Sequence, residues 1–217
     1  MFKKIKKILG NDFIGPEELS RIKNNLGILD PYSYRKIPDI DFSIKNISSL
    51  RGKAILILGS PKMNRGKKLT LNNLRSQLGF DPKVKEPCFY NQDWYLNEDF
   101  SKKTSLDLKW YLLKKNVDDK TLSKDPEIIS KNMASNHRYP SAILTAYTFF
   151  SYYFLNKKIL WSSNFIWCSD KDHHGDRIYV GRYIDPEKVN KNGFNIHRHL
   201  SITSIYGLVA QIENSNV

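Results

Sequence analysis

Tyr139-Pro140-Ser141-Ala142-Ile143-Leu144-Thr145-Ala146-Tyr147-Thr148-Phe149-Phe150-Ser151-Tyr152-Tyr153-Phe154-Leu155-Asn156 is apolar on nearly every side when wound as a helix. That pattern belongs to an element inside a core, not to one lying on a surface. Pro140 suits a first turn, where its missing N–H costs nothing. The stretch is too short and too rich in Ser, Thr and Tyr to span a bilayer. Its aromatic residues Tyr147, Phe150, Tyr153 and Phe154 read as packing groups. A helix of this kind needs cover, and the residues that follow supply strands. Phe165–Ser169 and Arg177–Tyr183 read as a hairpin joined by the turn Asp170–Asp176. Gly193–Leu200 reads as a further strand, and Tyr206–Ala210 as an edge strand. The expectation is an α+β fold, with a mainly antiparallel C-terminal sheet packed on the central apolar helix.

Working back towards the N-terminus, Ala54–Leu58 is a short apolar run stopped by Gly59-Ser60-Pro61, the profile of a buried strand. Thr70 caps a helix over 71–78 that ends at Gly79. Leu108–Leu113 reads as a strand, and Asp125-Pro126 opens a helix ending near Asn132. Met1–Gly10 forms a short basic amphipathic helix without the apolar region of a secretory signal. A second helix starts at Pro16 and stops at Gly27, and residues 28–50 read as loop or linker. The expected organisation is a basic helical arm and linker over residues 1–50 and a single α+β domain over 51–217.

Charge is unevenly spread. The chain has 217 residues and a net charge of +13, and its first 68 residues carry 15 Lys and Arg against 6 Asp and Glu. The middle and last thirds are close to balanced. A basic segment beside a near-neutral body points to a polyanion, either nucleic acid or an anionic membrane surface. The bland alternative is lysine used for solubility. Cys88 and Cys168 lie far apart with no CxxC spacing, so a disulfide framework is not expected and buried thiols in a reducing cytoplasm are.

Several short motifs carry partial resemblances. Gly59-Ser60-Pro61-Lys62-Met63-Asn64 resembles the phosphate loop of flavodoxin-like FMN reductases, over about ten residues. That fold implies repeated βα units, which the next hundred residues or so do not supply. Thr70 to Gly79 is similar to the first helix of a helix-turn-helix, but Pro82 and Pro87 stand where its recognition helix belongs. Asp107-Leu108-Lys109 has the Asp-x-Lys spacing of PD-(D/E)xK nucleases, with Pro38-Asp39 as the upstream acid. The turn Asp170–Asp176 resembles the D-x-D-x-[DN]-G calcium loop. It departs in having His174 at the fifth position and Gly181 at the twelfth, and strands flank it, which excludes an EF-hand. Asp and Gly are also what a tight turn needs for itself. Asp172-His173-His174 spells the signature of DHH phosphoesterases, without their upstream motifs.

The leading expectation is a nucleic-acid-associated binding protein with no catalytic motif. Its partner is DNA or RNA, held through phosphates by Lys3, Lys4, Lys6, Lys7, Lys62, Arg65, Lys67 and Lys68. The alternative is a metal-dependent phosphodiesterase or nuclease. Residues two apart on a strand share a face, so His197 and His199, with Asp170, Asp172 and Asp176 from the turn, could hold a divalent metal as the only cofactor, and Asp170, Asp172, His197 and His199 would carry the catalysis. A second alternative is a protein-interaction module with incidental charge and a protein partner.

Overall fold

The computed structural model describes residues 1–184, 192–198 and 202–214. Seven helices occur among them: α1 (Phe2–Leu9), α2 (Pro16–Leu26), α3 (Ile44–Ser49), α4 (Leu71–Leu78), α5 (Asp99–Lys102), α6 (Pro126–Asn132) and α7 (Ala142–Asn156). The strands are β1 (Phe13–Ile14), β2 (Ala54–Leu58), β3 (Trp110–Lys114), β4 (His137–Arg138), β5 (Phe165–Lys171), β6 (Arg177–Gly181), β7 (Asn195–His197), β8 (Tyr206–Gly207) and β9 (Gln211–Ile212). The fold is mixed α+β with two sheets rich in antiparallel pairs.

One sheet has the order β1-β2-β3-β9-β4 and the other β7-β6-β5-β8. Among the described strands, only β1–β2 and β5–β8 pair in parallel. The parallel, repeated βα architecture that the Gly59–Asn64 resemblance implies is therefore not what surrounds this loop: β2 runs antiparallel to β3 over its whole length. Gly59 has a different reason to be glycine. It continues the ladder by donating to Lys109 O at 2.8 Å, and a Cβ there would lie 2.4 Å from the Asp107 carbonyl oxygen.

Helix α7 begins later than Pro140 suggested, because Ser141 is the better N-cap: its hydroxyl accepts from Leu144 N at 3.2 Å. Residues 142–152 are all buried. The helix packs against β5 and β6 and also against α2. Its Tyr147 hydroxyl donates to Leu58 O at 3.2 Å, reaching the end of the other sheet. Phe149 and Phe150 meet Phe89 and Phe194 in an aromatic cluster with ring centroids 4.9–5.8 Å apart.

The first fifty residues contribute to the same interior. Ile5, Leu9, Phe13, Ile14, Leu19, Ile22, Leu26 and Ile28 are buried in one cluster with β2, α7 and β6. β1 adds a strand to the five-stranded sheet. Helix α3, in a segment read from sequence as loop, is capped by the Ser43 hydroxyl and buries Ile47. Asp12 is buried and bound by Lys115 Nζ at 2.7 Å and by the Tyr152 hydroxyl at 3.1 Å, which links the N-terminal segment to the residue after β3 and to α7. Cys88 and Cys168 are both buried and free, and burial pushes the Cys88 thiol up to about 11. Among the described residues no helix is long and apolar enough to cross a membrane.

Candidate functional site: a cationic hairpin and a buried carboxylate cluster

The eight cations singled out from sequence fall into two groups. Lys6 bonds Glu17 and Glu18 at 2.7 and 2.6 Å, in the first turn of α2. Residues 62–68 lie beyond the other end of that helix, where Asn64 N donates to Gly27 O at 2.8 Å. An eleven-residue helix rising 1.5 Å per residue sets these groups about 16 Å apart. Lys6 is engaged. Lys3, Lys4 and Lys7 are exposed, and no ion pair to them occurs among the described residues.

The second group is built on a small hairpin. Met63 N donates to Lys67 O at 2.8 Å and Leu69 N to Pro61 O at 3.0 Å, which makes Lys62 and Lys68 directly facing partners. With hydrogen bonds on either side of it, this is a non-hydrogen-bonded pair, the kind whose facing Cα atoms stand only about 4.5 Å apart. Met63 is buried and bridges to Ile28, so the hairpin is anchored on the core. Lys62, Arg65, Lys67 and Lys68 are all exposed, and none has an ion-pair partner among the described residues. Arg65 adopts φ of 61°, at the tip of the hairpin.

The Asp/His residues considered for a metal are placed differently from one another. Asp170 Oδ2 accepts from Ala142 N at 2.6 Å and so helps cap α7. Burial pushes its carboxyl upward, against the lowering effect of that N–H. Asp172 Oδ1 accepts from the backbone N–H of His174 and of Asp176, both at 2.9 Å, while Oδ2 receives Arg198 at 2.8 Å. The Arg198 guanidinium and the turn N–H groups hold the Asp172 carboxyl below its ordinary value, against burial. Asp170 and Asp172 thus point to separate partners, because Asp170 is still within β5 whereas Asp172 already belongs to the turn, where strand alternation no longer applies. Asp176 bounds the turn, where Asp172 N donates to its carbonyl at 3.0 Å. Gly175 takes φ of 89°, so the turn uses its Asp and Gly for its own backbone. His197 lies on β7, stacked on Tyr179 and 3.2 Å from the Gln92 amide. His199 lies outside the described residues. Among the described residues no three His, Cys, Asp or Glu side chains group closely enough to hold a metal ion.

The turn meets a group that sequence reading missed. Glu98, with its side chain only 8% exposed, accepts from His173 Nδ1 at 2.6 Å and from His173 N at 3.0 Å. Arg198 stands 3.8 Å from the same carboxylate and lies over the Trp94 ring at 4.7 Å. The His173 side chain is 60% exposed, and its Nδ1 is the nitrogen committed to Glu98. A carboxylate-oriented imidazole is the arrangement used for proton transfer. Here the contact fastens the β5–β6 turn to the segment before α5. Pro38-Asp39 lies beside the start of β3, since Trp110 Nε1 donates to Pro38 O at 2.9 Å. In that motif Lys109 Nζ is 3.9 Å from Asp107 Oδ2. No family model, curated protein or solved structure matches the chain.

Proposed function

We propose that this is a nucleic-acid-associated binding protein that engages phosphates through the 62–68 hairpin. The observation that carries the reading is the facing pair Lys62 and Lys68, whose side chains share one face of the hairpin and make no ion pair among the described residues. Like charges directly opposite one another across a ladder are destabilising. A phosphate placed between them turns that repulsion into two attractions. Arg65 and Lys67 add donors, and the guanidinium fork suits a phosphate in two-point contact. Because the hairpin backbone is already pinned to α2 and to residues 28–29, little ordering is required when a ligand binds.

The test is the salt dependence of binding. Removing one cation that neutralises a phosphate should flatten the slope of log affinity against log salt by about 0.9 on duplex DNA and by about 0.7 on a single strand. A variant with Lys62, Arg65, Lys67 and Lys68 all changed to Gln should therefore bind more weakly and with a shallower slope, measured by fluorescence anisotropy of labelled oligonucleotides. An unchanged slope would remove the hairpin from the reading. Lys3, Lys4 and Lys7 would then be the group to neutralise next.

A further inference from the structure

The cationic hairpin has a neighbour that bears on which form of nucleic acid it takes. Residues 28–36 are joined to residues 60–63 at three points. Ile28 bridges to Met63, Leu29 N donates to Lys62 O at 3.1 Å, and the Tyr34 and Ser60 hydroxyls meet at 3.4 Å. Tyr32 lies between those attachments with 65% of its surface exposed. It is held on a single-turn 3-10 helix that starts at Pro31. Asp30 Oδ1 accepts from Tyr32 N at 3.2 Å, and the other oxygen of Asp30 is bound by Lys23 and Ser20. Arg35 and Lys36 follow at once, both exposed and without an ion pair among the described residues.

An exposed aromatic ring on a pinned backbone, in a segment with cations that make no ion pair among the described residues, is a combination that suits unpaired bases. Cations track the phosphates while the ring offers a face on which a base stacks, and a base is free to do so only outside a duplex. Building on the phosphate-binding reading above, we propose that Tyr32 is a base-stacking residue and that the polyanion this surface selects is single-stranded nucleic acid. Arg35 and Lys36 extend the phosphate track begun by Lys62, Arg65, Lys67 and Lys68. Tyr32 is solvent-facing and its backbone is held by Asp30, so replacing its side chain leaves the core untouched.

The experiment compares three ligands of equal length: an oligothymidylate, an abasic phosphodiester strand and a duplex. Each is titrated against the full chain and against Tyr32→Ala and Tyr32→Phe. Loss of one stacked base should weaken oligothymidylate binding about 5- to 150-fold in Tyr32→Ala, with its salt slope unchanged. Binding of the abasic strand and of the duplex should not change, and Tyr32→Phe should restore the loss. A ribose version of the pyrimidine strand separates RNA from DNA within the same assay. Equal losses on all three ligands, or no loss on any, would overturn the stacking role and leave a purely electrostatic surface. If the unaltered chain binds none of the three at low salt, the phosphate-binding reading fails, and this proposal falls with it.

Discussion

At the scale of single residues, His197 shows how burial converts into pH dependence. Its ring stacks on Tyr179 and meets Phe165 at right angles, and those two rings also touch each other. Burial first, and the Arg182 guanidinium second, hold the imidazole below its ordinary value of 6.5. As pH falls through that ordinary value the unfolded chain takes up a proton that the folded chain still refuses. Protons then favour the unfolded state, so stability falls on acidification and rises with pH through that window. His137 contributes with the same sign, its imidazole lowered by burial and by Lys114. Urea midpoints measured between about pH 7.5 and about pH 5.5 should fall with acidification, and His197→Gln should make the fall shallower. An equal slope in the variant would assign the effect to other groups. The residue scale is also where sequence reading was weakest. His173 was visible in the Asp-His-His run, but its partner Glu98 lies 75 residues upstream, in a segment with no periodicity to announce it. Nothing local distinguishes Glu98, which is buried here, from the exposed Asp99 beside it.

At the scale of elements, the local capping signals of α2 and α4 were legible in the sequence. Gly27 takes φ of 66° after α2, and Thr70 accepts from Asn73 N before α4, at the positions their residue types predicted. These signals are legible because cap and capped residue are three or four apart in the chain. The start of α7 shows the limit of such reading. Ser141 serves its Leu144 N–H locally, whereas the Ala142 N–H is served by Asp170, 28 residues away. Ser141→Ala should cost about 1 kcal/mol, a typical loss for an N-cap hydroxyl. Asp170→Ala should cost about 1–3 kcal/mol by leaving the Ala142 N–H without its acceptor. Asp170→Asn should be nearly neutral, since an amide oxygen can still accept and burial already disfavours the ionised carboxyl. Thermal melts of the three variants would check this ordering, and a loss in Asp170→Asn as large as in Asp170→Ala would show that the charge itself matters.

At the scale of the whole molecule, the question is what the first residues contribute. Ile5 and Leu9 are buried in the cluster that contains α7 and β2, and Phe2 stacks edge-on with Trp110 at 5.4 Å. Deleting residues 2–10 exposes the surface they cover. At about 1.5–3 kcal/mol for each large apolar side chain fully buried, the loss from Ile5 and Leu9 alone is about 3–6 kcal/mol. That is a large share of the stability of an ordinary domain. A strongly lowered urea midpoint is expected, and an unchanged midpoint would make α1 a dispensable arm. From the sequence alone came the periodicities and local caps: most of the helices, the β2 and β5–β6 strands and the mixed α+β class. These are short-range preferences of the backbone and of apolar side chains, and they act between residues close in the chain. The tertiary structure alone decided that β9 leaves β8 for the other sheet and that α1 and β1 join the core. It also set Asp170 apart from Asp172 and Glu98 beside His173, and it joined the 28–34 segment to residues 60–63. Each of these depends on which distant surfaces exclude water together, and burial rewards any complementary pair without regard to its spacing along the chain.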